Sequence, residues 1–523
     1  MKVVVPMSGM ASRFGSAGYK IPKYLIEVDG KTVIEHIIDL YPKDDTDFVF
    51  IVNKKHYNET NIAQFLRPLV SKGSINIIEQ HKKGPVHSVL ECQDKIDDDE
   101  QVIVNYCDFS MKWDYDKFKQ HVDETDCDGS VVCYTGFHPH MLGSDNYAFC
   151  KTDEEDNIIE IREKQPFTDN KMNEYASTGT YYFKKGSYVK KYFQQLVDED
   201  DNIKGEFYVS LVHNHLTRDG LVNNVYEIPH MLQWGTPLDL DMYRKWSQYN
   251  RRVMEGQKEV TIPNCVTVLP MAGRAERFRQ EGYMVPKPCI QVNGHYMMDQ
   301  ALKCMPKTDQ IILGARTDHK DLLPLDTYPD VVWLDEVLPG QACTTQRIMN
   351  AIPDPDKSIL VTACDNAVLY DANKFMSLVN DNTNDIIVWS YRNNYTTYYD
   401  PEKYSWLELD GDKVTKVNVK EFKGGNPLDQ HAIVGTMFFR NKRVYLKSLA
   451  GLYERNSTTN GEFYIDNLLN DAIDLGYNVK NFEVEHYICW GTPDDLETYK
   501  YWQRFFDQVD WHPYDYKTDY FTN

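Results

Sequence analysis

The 523-residue chain has no basic excess: 57 Lys and Arg stand against 79 Asp and Glu, a formal net charge of −22. Nucleic-acid binders present a basic face, so this balance argues against a polynucleotide partner. It leaves open a small phosphate ligand held by a few placed cations. No apolar run approaches the length needed to cross a bilayer, and no membrane insertion is expected. The eleven cysteines form no C-x-x-C pair and no zinc-finger spacing, which fits reduced, buried thiols in a cytoplasmic protein. No lipidation signal is evident. The opening MKVVVPMSGMAS turns to Gly, Ser and Arg too early for a signal peptide, and its strand-like run recurs internally, so it is expected to belong to the fold.

What is present is an ordinary globular composition, 42% apolar and 26% charged, at a length that suits two domains. The chain repeats itself. PMSGMASRFGSAGYKIPK at 6–23 returns as PMAGRAERFRQEGYMVPK at 270–287, an offset of 270 − 6 = 264. VIVNYCD matches ILVTACD, STGTYYF matches IVGTMFF, KGEFYVS matches NGEFYID, and WGTPLDLDMYRKW matches WGTPDDLETYKYW, in the same order, with an offset of 490 − 234 = 256 by the last. A tandem duplication is implied, with domains at 1–250 and 262–507 and a Tyr- and Asp-rich tail at 508–523.

Each copy alternates strand and helix signals. KVVVPM, DFVFIVN, INIIEQ and QVIVNYCD read as strands, and TVIEHIIDLY and NIAQFLRPLV as amphipathic helices. That alternation predicts an α/β fold, a mainly parallel mixed sheet flanked by helices. The first strand ends in the loop SGMASRFG, with the next helix expected near Thr32. Ligands of open α/β sheets sit outside the carboxyl ends of strands, where this loop lies. Gly9 allows backbone N–H groups to converge on a phosphate, Ser12 can hydrogen-bond it, and Arg13 can fork onto two of its oxygens. Lys23, preset by Pro22, adds a compact charge. Gly273, Arg277, Pro286 and Lys287 keep the spacing. The loop is neither a G-x-x-x-x-G-K-[ST] phosphate loop nor a G-x-G-x-x-G dinucleotide turn.

The segment PMSGMASRFGSAGYKIPKYLIEVDG resembles the signature of the sugar-phosphate nucleotidyltransferases, and the likeness extends over most of each copy. It implies two tandem Rossmann-like nucleotide-diphospho-sugar transferase domains. Such enzymes join a nucleoside triphosphate to a phosphorylated sugar, or a related phospho-alcohol, and release pyrophosphate. By the resemblance, Arg13, Lys23, Lys164, Arg277 and Lys287 are the catalytic cations. Met7, Gly9, Ser12, Gln80 and Gly84, with Met271, Gly273 and Gly340, hold the nucleotide. Gly179 and Glu206, with Gly435 and Glu462, lie on the acceptor side, the two glycines at a turn. Asp108 and Asp365, each ending an apolar strand, are the metal ligands, and Mg2+ is the expected cofactor. The copy-two counterpart of Lys164 is Lys420 or Lys423.

The sequence departs from the family in places. Gln233 and Cys489 stand where many members carry a second metal-binding Asp. Asp239 and Asp495 follow, in a helix's expected first turn, where Asp suits the dipole. Trp234 and Trp490 read as packing residues. His138 and His140 lack a third ligand and a matching copy, and are not read as a metal pair. Ala11 and Ala275 occupy a usual Gly position, and Glu276 replaces Ser12, a like charge near a polyphosphate. Copy one is therefore expected to be catalytic. Copy two is a second enzyme with another acceptor, or a decayed partner. The missing Asp-x-Asp disfavours a related glycosyltransferase that uses a finished nucleotide-sugar. The expected partners are a nucleoside triphosphate and a phosphorylated small-molecule acceptor, with surface-glycan precursor synthesis as the implied pathway. The base, a pyrimidine by resemblance, the acceptor and a homo-oligomer stay open.

Overall fold

Alternate residues of the strand Lys2–Pro6 serve two different cores: Val3 and Val5 join one apolar cluster and Val4 the other. A strand buried on both faces reads as a continuous apolar run, as KVVVP does. This strand lies at the middle of a nine-stranded mixed sheet in a computed structural model that describes residues 1–143 and 145–522. It pairs in parallel with Asp47–Asn53 and Val102–Asn105, and Lys72–Ile78 continues the parallel side. Beyond Val102–Asn105 the long strand Tyr175–Phe183 runs antiparallel, and Gly129–Tyr134, Ala148–Thr152 and Ile158–Glu163 extend that side.

The second unit repeats this order. Cys265–Pro270 pairs in parallel with Gln310–Arg316 and Ser358–Val361, and Ala432–Phe439 is the antiparallel long strand beside Ser358–Val361. The chain divides into Met1–Ser247 with Gln508–His512, and Gln248–Asp507 with Pro513–Asn523. The segment 508–523, expected as a tail outside the repeat, thus belongs partly to each unit. Its residues have apolar or hydrogen-bonded places: Trp511 stands edge-on to His36 in the first unit, and Gln503 in the second donates to Asp519 at 2.9 Å.

Helices cover both faces. Val33–Ile38 starts at Thr32, where Thr32 and Glu35 form a reciprocal capping box. The loop after the first strand differs from the expectation, because a short helix, Ser12–Ser16, already begins inside it. Its N-cap, Ala11, is left-handed at φ 47°, and Ala275 is left-handed at φ 53°. That conformation explains why glycine suits this position, since an L side chain is strained there. Gly179 and Gly435, expected at turns, lie instead within continuous strands. Each sits in a bulge, where the register with the neighbouring strand shifts between Ser177 and Thr180 and between Val388 and Ser390. Their φ values of 99° and 94° are what the extra residue requires. Among the described residues no helix is long and apolar enough to cross a membrane.

Candidate active site

In the first unit a cleft of about 590 Å³ opens at the carboxyl ends of the parallel strands. Gly9, Ser12, Arg13, Lys23, Gly84, Asp108, Lys164, Gly179 and Glu206 all line it. Met7 does not: it is buried in the apolar core at 1% exposure, as Met271 is at 4%. Gln80 is exposed and outside the lining. The Met7 and Met271 side chains thus lie in the core, and Gln80 lies outside the lining of the first unit's cleft. Met7 points inward because the strand's alternation continues through it, and Gln80 lies beyond the end of Lys72–Ile78.

Lys23 and Asp108 meet in the cleft, with Nζ 2.6 Å from Oδ2. Burial pulls the ammonium's pKa down, but the carboxylate more than offsets it, so Lys23 stands above its ordinary value. The second unit repeats the pair: Lys287 Nζ donates to Asp365 Oδ2 at 2.6 Å and to the Gly491 carbonyl at 2.8 Å. There burial pushes Asp365 upward and Lys287 overcomes it, leaving the carboxyl below its ordinary value. The lysine and the aspartate, expected to serve phosphate and metal separately, hold each other. Pairing offsets the cost of drawing two half-buried charges partly out of water.

The glycine of WGTP explains part of the geometry. A Cβ added to Gly235 would stand 3.1 Å from Asp108 Oδ2 and 3.2 Å from Gln233 Oε1. The missing side chain leaves a cradle bounded by two oxygens, a donor set that suits a hard divalent cation keeping water and phosphate ligands. At Gly491 the corresponding neighbours are Cys489 Sγ at 3.1 Å and Asp365 Oδ2 at 3.7 Å. Asp239, in the first turn of Pro237–Val253, accepts from Thr236 Oγ1 at 2.5 Å and also lines the cleft. Burial pushes its carboxyl up to about 6. The expectation of a helix-dipole role missed its place on the cleft wall. Trp234 and Trp490 are buried, as packing residues are. His138 and His140 lie in an aromatic cluster, with the Tyr134 hydroxyl 2.9 Å from His140 Nε2.

Gly84 and Gly340 share a close approach, but to the chain itself. An added Cβ would lie 2.6 Å from the Phe207 carbonyl oxygen in one unit and 2.5 Å from that of Phe463 in the other. Each phenylalanine belongs to a GEFY segment, and each donates its N–H to the preceding loop, at Lys83 O and Pro339 O. These glycines thus seal GEFY against the loop. On the acceptor side, Lys164 Nζ contacts the Tyr208 hydroxyl at 2.6 Å and lies over that ring, and Tyr208 donates to Glu206 at 2.5 Å. Lys420 resolves the open choice in the second unit. Like Lys164 it has a positive φ, 53° against 60°, and it lies over the ring of Tyr464. Lys423 is exposed and paired with Glu421. Burial, helped by the Arg277 charge, lowers the Lys420 pKa against the opposing pull of the Asp466, Asp365 and Glu462 carboxylates. Glu276 is exposed, 3.9 Å from Arg274.

Sequence reasoning missed Tyr208 and Glu163. The repeated GEFY held a signal for the first, since Tyr464 recurs at the same place. The loop is braced by groups no motif revealed: Ser8 and Ser88 hydroxyls lie 2.7 Å apart, and Asn53 donates to Ser8 O at 2.8 Å.

Residues 3–156 match the family model of the MobA-like NTP transferase domain. The chain is 23% identical over 241 residues to the bifunctional protein GlmU of Methanocaldococcus jannaschii, covering 46% of this chain and 52% of that protein. It is 26% identical over 215 residues to the bifunctional protein GlmU of Buchnera aphidicola subsp. Schizaphis graminum, covering 41% and 43%. The chain thus spans about half the length of the curated relatives it matches. Among solved structures, a nucleoside-diphosphate-sugar pyrophosphorylase from Vibrio cholerae RC9 aligns at a TM-score of 0.39 and 24% identity, over 46% of this chain and 98% of that one. The inositol-1-phosphate CTP transferase from T. maritima aligns at 0.37 and 19% identity, over 47% and 97%.

Proposed function

We propose that the chain is a nucleotidyltransferase that joins a nucleoside triphosphate to a sugar phosphate or related phospho-alcohol and releases pyrophosphate. The observation that carries this reading is the gathering of Arg13, Lys23, Asp108, Lys164 and Glu206 on one cleft. The family match over residues 3–156 supports the nucleotide half of it, and the printed activities of the similar structures support a phosphorylated acceptor.

In this reading an acceptor phosphate oxygen attacks the α-phosphorus, the bond to the bridging oxygen breaks, and pyrophosphate leaves. A phosphate nucleophile needs no strong base, so catalysis is positioning and charge stabilisation. Arg13 forks onto the departing phosphates. Lys23, released from Asp108 by the incoming anion, neutralises the charge growing on the α-phosphate. Lys164, steadied by Tyr208, orients the acceptor phosphate. Asp108 and Gln233 are the residues that would hold Mg2+, which would supply Lewis-acid charge stabilisation. The second unit, with Arg277, Lys287, Asp365, Lys420 and Glu462, is a second site of the same kind, which would make the protein bifunctional. The product donor would serve surface-glycan synthesis.

The test is pyrophosphate release, crossing the nucleoside triphosphates with a panel of sugar phosphates and phospho-alcohols in Mg2+. Release that needs both a triphosphate and an acceptor, and is lost in Lys23→Ala together with Lys287→Ala, is the expected result. Turnover of a finished nucleotide-sugar without pyrophosphate would favour a glycosyltransferase instead.

A further inference from the structure

We propose that the carboxyl facing the acceptor comes from the strand in the first unit, as Glu163, and from the helix in the second, as Asp466, and that this exchange gives the two sites different acceptors. The proposal rests on the nucleotidyltransferase reading above.

Both units clamp the same helix to the same strand in the same way. In the first, Ile161 N–H donates to Asn214 Oδ1 at 2.8 Å, and Asn214 Nδ2 returns a bond to Ile161 O at 2.9 Å. In the second, Val417 N–H donates to Asn470 Oδ1 at 2.9 Å, and Asn470 Nδ2 donates to Val417 O at 2.9 Å. The spacing is identical, since 470 − 214 and 417 − 161 are both 256. The residue two places on in the strand therefore meets the residue one turn back in the helix. In the first unit these are Glu163 and Ser210, and the serine hydroxyl donates to Glu163 Oε2 at 2.7 Å. In the second they are Val419 and Asp466.

Each unit thus carries one carboxyl at this place, on opposite sides of the contact. Burying a carboxyl is unfavourable, and an apolar or hydroxyl pair would pack there without that cost. Both carboxyls nevertheless lie beside the acceptor-side lysine. Glu163 lines the first unit's cleft with Lys164, and Asp466 follows two residues after Tyr464, whose ring Lys420 overlies. Burial raises the pKa of each, tempered by Ser210 in one case and by Ser405 and Lys420 in the other. Ser405 belongs to the same exchange. Trp406 pairs with Asn418 as Phe149 pairs with Arg162, so Ser405 takes the place of Ala148, which lines the first unit's cleft. Its hydroxyl is buried at 3% exposure beside Asp466 and completes no hydrogen bond of ordinary geometry among the described residues.

The chemistry follows from which wall is polar. Glu163 makes the strand wall of the first site an acceptor of hydroxyl protons, which suits a hydroxylated sugar phosphate. Val419 makes that wall apolar, while Asp466 and Ser405 put the polar groups behind it. The second site then suits an acceptor that is deoxygenated or alkyl toward the strand and hydroxylated toward the helix.

Kinetics in Lys287→Ala, which isolates the first site, and in Lys23→Ala, which isolates the second, test this. Acceptor preference should differ between the two backgrounds. Glu163→Gln in the first and Asp466→Asn in the second should each raise the acceptor KM about tenfold or more, with the triphosphate KM unchanged. The paired exchange Glu163→Val with Ser210→Asp should move the first site's preference toward deoxygenated acceptors. Thermal melts confirm folding, and calorimetric titration of acceptor beside a non-hydrolysable triphosphate analogue reads binding without turnover. One shared acceptor ranking, or unchanged acceptor KM and affinity in both single variants, overturns the proposal. Absence of pyrophosphate release from the wild type with every acceptor overturns the nucleotidyltransferase reading itself.

Discussion

The two units agree most closely at the end of the cleft where charge is paired and differ most where it is not. Lys23 with Asp108 and Lys287 with Asp365 are the same contact at 2.6 Å. The glycine seals on Phe207 and Phe463 are the same to within a tenth of an ångström at the carbonyl oxygen. Against this stand Gln233 beside Cys489, Ser12 beside Glu276, and Glu163 with Ser210 beside Val419 with Asp466. The agreement lies in interactions where either partner alone would be a half-buried, unpaired charge. Such a pair resists change because losing one member strands the other. The exchanged positions share no ion pair common to both units, and they are where the copies diverge.

The largest expected effect breaks the shared pair. Lys23→Ala should lower pyrophosphate release from the first site by about 100-fold or more, with the second site's share intact, as read on acceptors specific to each. Equal loss at both sites would end the view of two independent centres. Next come the seals. Gly84→Ala and Gly340→Ala force a Cβ into the phenylalanine backbone at φ 88° and 107°, so each should cost about 2–4 kcal/mol in its own unit, measured by denaturant melts. A smaller effect separates the cradles. Gly235→Ala crowds two oxygens and should weaken the divalent-metal dependence of triphosphate binding. Gly491→Ala crowds a sulfur, with the carboxylate further away at 3.7 Å, and should weaken it less.

The pH dependence sharpens the comparison further. Asp239 holds its proton up to about 6 in the folded state because it is buried. A carboxyl raised above its ordinary value of 3.8 stabilises the fold below that value and loses the contribution as pH rises through about 6. Asp239→Asn should flatten the first unit's stability between about pH 4 and 6. The smallest effect is expected at the left-handed alanines, where Ala11→Gly and Ala275→Gly should each stabilise by about 0.5–1 kcal/mol.

Much of this was legible in the residues. The apolar runs marked the central strands because those strands are buried on both faces, and the repeated Gly-x-x-x-Arg and Pro-Lys spacings marked the cations that gather on the cleft. Gly84 was read as a place of close approach to a nucleobase; the close neighbour in the fold is the chain's own Phe207, a contact across more than a hundred residues that no local pattern encodes. The Met7 side chain turns inward because a residue at a strand's end follows the strand's alternation into the core. Gly179 looked like a turn because a bulge and a turn both need positive φ. Asp239 and Glu163 escaped because their importance comes from burial and neighbours, which only the folded arrangement supplies.

The most direct measurement is equilibrium binding of a nucleoside triphosphate in Mg2+, by calorimetry, to the wild type, Lys23→Ala, Lys287→Ala and the double variant. The account predicts two sites in the wild type, one lost in each single variant, and none in the double. Unchanged stoichiometry and affinity in the double variant would contradict it.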